Sequence, residues 1–233
     1  MAFDSYGNRF QRNTPVVLNL IIINVLVYLA QRIIGDSVTD KIALYPINSE
    51  FFKPYQVVTH MFAHSPTMLV HIIFNMFALW MFGTILERSW GPKRFLIFYL
   101  VSGLAAAGLH LLMQYLKNPE AGHITQVMYD QAVASEGYFP TYYLGGAVGA
   151  SGAIMGVLAA FAYLFPNTPL YMMFIPIPIK AKFAIPVMVA IDLFGGFAGI
   201  QGDSIAHFAH LGGAIAGFLM VLYWNKMNKN TFY

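Results

Sequence analysis

The sequence contains no cysteine, which excludes disulfide bonds, thiolate metal ligands and a cysteine nucleophile. It is also poor in charge, since Asp, Glu, Lys and Arg make up only 10% of its 233 residues, against about 25% in globular domains. The formal net charge of +3 is too small to argue for a nucleic-acid partner, and none is expected. Apolar residues, in contrast, make up 58% of the chain, and several runs approach the length of a membrane-spanning helix. The sequence therefore predicts a polytopic membrane protein.

Six apolar segments divide the chain and predict an all-α polytopic membrane protein, with six transmembrane helices in one domain over residues 1–233. The predicted spans cover residues 16–34, 68–86, 95–116, 151–165, 183–199 and 205–224. The mixed segment 36–67 is expected to be an interfacial loop, and the more polar segment 117–143 to be an outer loop. The first span lacks a small-residue cleavage site, so it is interpreted as an anchor and not as a signal peptide.

Lysine and arginine residues are distributed unequally between the two sides that six spans define. The amino terminus, the loops after spans two and four and the carboxy terminus hold nine of them, and the other side holds four. Because cytoplasmic segments carry the excess of these residues, both termini are predicted to be cytoplasmic. The lack of further domains favours a simple prokaryotic form, so the expected location is the bacterial cytoplasmic membrane.

Polar side chains inside the spans are costly, and here they share one depth. Ser151 lies 14 residues before the cytoplasmic end of span four, His210 lies 14 residues before that of span six, and His71 lies 15 residues before that of span two. At about 1.5 Å per residue, all three are about 21–23 Å above the cytoplasmic boundary. Asn75 lies one turn along from His71 on the same helix face. These residues are therefore expected to form one site near the outer surface.

Small residues predict how two of these spans pack against each other. On span four, Gly152 and Gly156 form a face of small residues, and on span six Gly213 and Gly217 lie on the same stripe as His210. Glycines at this spacing let membrane helices approach closely. Packing the two faces together would bring the histidine of span six towards the serine of span four.

Serine and histidine at one depth indicate nucleophilic catalysis. An imidazole within hydrogen-bond reach can take the Ser151 proton and return it to a leaving amine, which is a role for His210. The free backbone N–H groups of Ser151 and a neighbour, with His71 and the Asn75 amide, could stabilise an oxyanion. Asp192 lies near the outer half of span five, and nothing in the sequence pairs it with a histidine. The simplest prediction is a Ser–His dyad.

Other interpretations remain open for the same residues. A lone serine near the end of a membrane helix is often only a packing residue, and Asn75 could bond a neighbouring helix. The pairs His60/His64 and His207/His210 have spacings typical of metal or haem ligands. The HExxH pattern of zinc proteases is absent, however, and no carboxylate accompanies either pair in the sequence. No metal site is therefore predicted.

Three segments, in this order, resemble one known family: HSPTMLVHIIFNMFALWMFGTILERSWG, GASGAIMG and AHFAHLGGAIAG. They are similar to the rhomboid intramembrane serine proteases, whose pattern is H-x3-N in the second span, G-x-S-G opening the fourth and A-H-x-x-G in the sixth. The resemblance extends from about Pro54 to Gly217. The combination of three motifs is far more specific than any one of them.

The resemblance implies that Ser151 is the nucleophile and that His210, and not His207, is the general base. The residues implied to form the oxyanion site are His71, Asn75 and the backbone of Ala150 and Ser151. A departure from the family is Met155, which occupies a position where rhomboids often have an aromatic residue against the histidine.

The resemblance also implies what the protein acts on. Rhomboids cleave single-span membrane proteins within the lipid bilayer, near the outer membrane face, through an acyl-enzyme and without a cofactor. Span five would then be the mobile gate for substrate. Two alternatives are a catalytically silent relative that binds membrane proteins, and a histidine-ligated metal, haem or quinone protein of the membrane.

Overall fold

The structure is a computed structural model that describes residues 13–117, 125–136, 146–172, 175–198 and 206–227. Its described elements are nine helices, a 3₁₀ turn at His60–Phe62 and two β-strands, and the helix over Leu69–Trp90 includes a π-helical stretch at Leu79–Gly83. In chain order the helices and strands are α1 Pro15–Ile34, α2 Asp36–Ile42, α3 Gln56–Thr59, α4 Leu69–Trp90, α5 Pro92–Lys117, α6 Gln126–Glu136, α7 Ser151–Leu164, β1 Pro169–Met172, β2 Ile175–Lys180, α8 Ala181–Ala198 and α9 Ala206–Met227.

Each of the six predicted apolar segments coincides with a helix. Four of these helices, α1, α4, α5 and α9, are long and apolar enough to cross a membrane. Helix α7 is a shorter apolar helix of 14 residues, and α8 has 18 residues with Pro186 inside it. Large apolar side chains such as Ile33 and Leu26 are exposed on α1, as expected for a surface that faces lipid. The protein is a multi-pass membrane protein, and the count of six spans remains a prediction.

The centre of the bundle is formed by α5, α7 and α9. As the glycine stripes predict, α7 and α9 touch through their backbones. A Cβ on Gly213 would overlap the carbonyl oxygen of Gly152, and a Cβ on Gly217 would lie 2.6 Å from that of Gly156. Helices can approach this closely only where no side chain separates them. The contact fixes the amino-terminal halves of α7 and α9 side by side.

Helix α1 is joined to α4 by a buried carboxylate. Glu87 is 2% exposed and accepts hydrogen bonds from the backbone N–H of Val16 at 2.9 Å and of Val17 at 2.7 Å. The first N–H groups of a helix have no partner within the helix, and a negative charge there also complements the helix dipole. This pairing holds the amino end of α1 against the carboxy-terminal end of α4.

The predicted interfacial loop 36–67 is an ordered unit with α2, α3 and a 3₁₀ turn, His60–Phe62. Gln31 of α1 holds it in place, because its side-chain amide donates to Thr39 Oγ1 at 2.8 Å and to the His64 carbonyl at 2.9 Å. Its amide oxygen accepts from the His64 N–H at 3.0 Å. The loop is thereby anchored to the first span immediately before α4 begins.

The all-α prediction is wrong for the segment between α7 and α8, where β1 and β2 form an antiparallel hairpin. The reason is local. In the sequence IPIPIK, Pro176 and Pro178 cannot donate the hydrogen bonds of a helix interior, and β-branched isoleucines alternate with them. In the predicted outer loop 117–143, the structure describes the helix α6; residues 118–124 and 137–145 lie outside the described residues.

Candidate active site

Ser151 is the first residue of α7, and the residues before it are bound to the interfacial loop. Ala147 and Leu44 exchange two backbone hydrogen bonds of 2.9 Å, and the N–H of Gly149 donates to the His60 carbonyl at 3.0 Å. Gly149 has φ of +139°, a conformation that favours glycine. The chain therefore turns sharply immediately before Ser151, and backbone hydrogen bonds to the interfacial loop fix the position of the serine.

The structure brings Ser151 and His210 together from two different helices. The serine Oγ lies 2.7 Å from His210 Nε2, within hydrogen-bond distance. The histidine side chain is 22% exposed, so the pair is largely screened from solvent while remaining reachable. Met155, one turn along from the serine, is partly buried against the main hydrophobic core. Backbone contact between α7 and α9 is what makes the serine–histidine distance possible.

The prediction that Asp192 pairs with no histidine is wrong. Its Oδ2 lies 2.9 Å from His210 Nδ1, and its Oδ1 lies 2.8 Å from His207 Nδ1. The carboxylate is 19% exposed. It comes from α8, which packs against both α7 and α9. A serine, two histidines and an aspartate are therefore connected by hydrogen bonds across three helices.

Asp192, His207 and His210 are also, among the residues that the structure describes, the group of side chains that could hold a metal ion. The ligand atoms of Asp192, His207 and His210 lie within 4.8 Å of one another. The statement that no carboxylate accompanies either histidine pair is therefore wrong for this pair. In the other pair, His60 Nδ1 lies 2.9 Å from the backbone carbonyl of Gln56, a helical contact within its own segment.

His71 lies close to the serine. Its Nε2 lies 3.2 Å from the point where a Cβ on Gly149 would be, and Ser151 Oγ lies 3.4 Å from that same point. The His64 ring packs edge-on against His71, with 5.1 Å between ring centroids. Burial, together with the adjacent His71, lowers the pKa of His64 to about 4, so this supporting ring is uncharged at neutral pH.

Asn75 and Ala150 are the other two residues predicted to form the oxyanion site. The Asn75 side-chain amide donates to the backbone carbonyl of His71 at 2.9 Å, which uses one of its two N–H groups. Ala150 is fully buried and precedes the first turn of α7. The N–H groups at this helix end have no partner within the helix and point towards the positive end of its dipole. N–H groups at a helix amino terminus are able to stabilise a negative charge.

A cavity of about 40 Å³ lies behind the serine. Its lining includes the histidines His60, His110 and His210, the glycine Gly149 and Ser151 itself. A water molecule needs roughly 10–15 Å³ of such space and polar partners. The cavity is large enough for a small number of water molecules in contact with the serine.

Substituting Gly149 with alanine is expected to lower activity about 10-fold to 100-fold, because the new methyl group would lie between His71 Nε2 and Ser151 Oγ. The matched control is Gly35→Ala. Gly35 also has a positive φ, +96°, but in the part of the chain that the structure describes no atom lies within 4 Å of its would-be Cβ. Both variants carry the same kind of backbone strain, so thermal unfolding should shift alike and only Gly149→Ala should lose turnover. Equal turnover in the two variants would contradict this assignment.

Comparison with known proteins gives a consistent set of relatives. The family model for the Rhomboid domain matches residues 52–226. Rhomboid protein 1, mitochondrial, of Saccharomyces cerevisiae is 31% identical over 156 residues, which are 67% of this chain and 38% of that protein. Presenilin-associated rhomboid-like protein, mitochondrial, of Homo sapiens is 27% identical over 227 residues, 96% of this chain and 52% of that protein. RHOMBOID-like protein 12, mitochondrial, of Arabidopsis thaliana is 26% identical over 221 residues, 93% of this chain and 60% of that protein.

The chain thus spans less than two thirds of the length of each of these three relatives. Their names assign all three to mitochondria, which is at variance with the expected bacterial cytoplasmic membrane.

Proposed function

The chain belongs to the rhomboid family, and on this premise we propose that it is an intramembrane serine endopeptidase. The observation that carries the proposal is the 2.7 Å contact between Ser151 Oγ and His210 Nε2, at the ends of two apolar helices. A serine hydroxyl becomes a nucleophile when a base is in position to take its proton. The proposal accounts for a polar pair whose burial in apolar helices would otherwise be costly.

The reaction proceeds in two halves. Ser151 Oγ attacks the substrate carbonyl carbon while its proton moves to His210 Nε2, and the carbonyl electron pair moves to oxygen. As the C–N bond breaks, the histidine gives that proton to the leaving amine and an acyl-enzyme remains. Water then attacks the ester carbonyl carbon with the same histidine as base, and the histidine returns this proton to Ser151 Oγ as the ester C–O bond breaks and the carboxylic acid product leaves. The cavity beside Ser151 offers this water a place out of the lipid.

The oxyanion that forms in each half is stabilised by donors around the serine. We assign this role to the backbone N–H groups at the start of α7, at Ala150 and Ser151, and to the side chains of His71 and Asn75. Two points support this assignment. His71 lies beside Gly149 and Ser151, and the first N–H groups of a helix have no partner within the helix. Such donors act most strongly where charge develops in the transition state.

Replacing His71 or Asn75 with alanine is expected to reduce kcat about 10²–10³-fold, with KM changed little, because the lost donor acts on the oxyanion and not on the bound substrate. The control for the asparagine is Asn225→Ala. Asn225 donates to the Tyr163 hydroxyl near the other end of the bundle, at 2.8 Å, and its loss should leave kcat unchanged. A rise in KM at constant kcat would argue against the oxyanion role.

The substrates proposed are single-span membrane proteins that reach the site from the bilayer. The site lies at the ends of apolar helices, so a substrate segment must itself tolerate lipid. We propose six spans with both termini on the cytoplasmic side, which puts Ser151 about 8 Å below the outer surface of a core roughly 30 Å thick.

The test is cleavage of a single-span substrate protein by the purified chain in liposomes, combined with labelling by a fluorophosphonate. In the labelling reaction a P–O bond forms to the serine oxygen and fluoride leaves. Wild-type protein should cleave the substrate, and peptide mapping should find the label on Ser151 alone. A protein that neither cleaves nor labels would be the catalytically silent binder, which the intact serine–histidine contact disfavours.

A second candidate function rests on the cluster of Asp192, His207 and His210, which has the composition of a site for a divalent transition metal. A bound ion would take the Nδ1 lone pair of His210 and leave Nε2 protonated, so that the ring could not accept the serine proton. Metal analysis of the purified protein decides between the two. Stoichiometric metal, or cleavage that EDTA abolishes, would favour the metal protein over the peptidase.

A further inference from the structure

Asp192 contacts two imidazoles in the same way. One carboxylate oxygen faces Nδ1 of His210 at 2.9 Å, and the other faces Nδ1 of His207 at 2.8 Å. The two rings are almost perpendicular, at 89°, with 6.5 Å between their centroids. Both lie on α9, whereas the aspartate lies on α8. The carboxylate is therefore held through both oxygens and cannot rotate without losing a hydrogen bond.

This arrangement determines where the protons are. An ionised carboxylate only accepts hydrogen bonds, so each Nδ1 that faces it must carry the hydrogen. In a neutral imidazole the other nitrogen then has the free lone pair. For His210 that nitrogen is Nε2, which lies 2.7 Å from Ser151 Oγ. A single contact thus selects the tautomer of His210 that can accept the serine proton.

We infer that Asp192 is the positioning residue of a Ser151–His210–Asp192 triad, with His207 holding the second oxygen of the same carboxylate. The inference rests on the proposed function and replaces the predicted dyad. When the serine proton reaches Nε2, the positive charge forms 2.9 Å from the carboxylate and is stabilised there. The aspartate keeps its negative charge throughout, since the proton passes from serine to histidine to the leaving amine.

His207 has a separate part in this arrangement. It lies three residues before His210, on the same face of α9, and contacts Asp192 without facing the serine. It fixes the direction of the carboxylate, and among the described residues its hydrogen bond is to Asp192 and not to Ser151. Removing it should therefore loosen the triad, whereas removing Asp192 should leave His210 without a selected tautomer.

The test compares Asp192→Ala with His207→Ala. The first variant removes both hydrogen bonds that the carboxylate makes between α8 and α9 and the second removes one of them, and only the first leaves His210 without its acceptor. Three quantities are measured on the full chain: kcat and KM in liposomes, the rate of fluorophosphonate labelling at Ser151, and ¹⁵N spectra of the histidine rings. Asp192→Ala should lower kcat about 10²–10⁴-fold with KM within about three-fold, and labelling should slow in parallel. His207→Ala should lose less than about 10-fold.

The spectra provide the readout that a purely structural tie between helices would not change. In wild type, His210 should show a protonated Nδ1 and an unprotonated Nε2, assigned by comparison with His210→Ala. In Asp192→Ala the two tautomers should mix, and in His207→Ala the wild-type pattern should persist. The inference is overturned if the two variants lose activity equally, or if Asp192→Ala keeps the wild-type pattern and rate. If Ser151→Ala also cleaves at the wild-type rate, it is the proposed function that fails.

Discussion

Replacing Ser151 with alanine is expected to reduce turnover in liposomes by about 10⁵–10⁶-fold, and replacing His210 with alanine by a similar factor. The physical reason is that the two side chains act in one proton transfer across 2.7 Å, so neither half works alone. A residual rate above the uncatalysed reaction should remain, because the backbone donors at the start of α7 are untouched. Turnover is measured by the appearance of the cleaved substrate over hours, with the folded fraction determined for each variant.

The double variant gives the sharper result. If serine and histidine act as a unit, Ser151→Ala combined with His210→Ala should be no slower than either single variant. Independent contributions would instead multiply the two losses. The control is Ser89→Ala, which removes an exposed hydroxyl bonded only to its own helix at Ile85, and which should keep full activity. Cleavage by Ser151→Ala at the wild-type rate would exclude the serine mechanism altogether.

The sequence predicts much of this site because depth in a membrane can be counted along a helix. At about 1.5 Å per residue, residue numbers alone set Ser151, His210 and His71 at one level. The glycines add rotation about the helix axis, because Gly152 and Gly213 indicate which faces of α7 and α9 meet. The backbones of the two helices are in contact at these residues. Depth and facing together are enough to bring the serine to the histidine without knowledge of any loop.

The contact between Asp192 and His210 could not be predicted in the same way, and the reason is also geometric. It lies seven residues before the predicted outer end of span five, or about 10 Å below the outer surface, close to the depth of His210. The depth signal was therefore present. The missing coordinate was rotation about the helix axis. Gly195 and Gly196, at i+3 and i+4 from Asp192, form a short face of small residues, but they do not indicate which neighbouring helix this face packs against. Packing of neighbouring helices sets this rotation.

The contacts that hold the serine from outside its helix were not predictable either. The backbone pairing of Ala147 with Leu44, and the bond from Gly149 to the His60 carbonyl, join segments about 100 residues apart. Backbone hydrogen bonds between irregular segments leave no periodic pattern in side chains. The hairpin formed by β1 and β2 is different, because the alternating prolines of IPIPIK exclude a helix and are visible in the sequence.

Replacing Gly213 with alanine is expected to lower kcat about 10²–10³-fold and to lower the thermal unfolding temperature. The added Cβ would overlap the carbonyl oxygen of Gly152, and a backbone atom cannot move aside as a flexible side chain can. Helices α7 and α9 must separate, which moves His210 away from Ser151. A displacement of about 1 Å is enough to cost about 10²-fold in rate, and overpacking adds a loss of about 1–3 kcal/mol in stability.

The matched control is the same substitution at Gly108 of α5, for which the expected change in stability has the opposite sign. No atom of the described residues lies within 4 Å of the position that its Cβ would take, and alanine favours a helix over glycine by about 1 kcal/mol. Gly108→Ala should therefore keep wild-type turnover and unfold at the same or a higher temperature. If Gly213→Ala loses stability while its folded fraction retains full turnover, the glycine contact holds the bundle together without setting the serine–histidine distance. Parallel loss of both quantities, in Gly213→Ala alone, is the result that ties packing to catalysis.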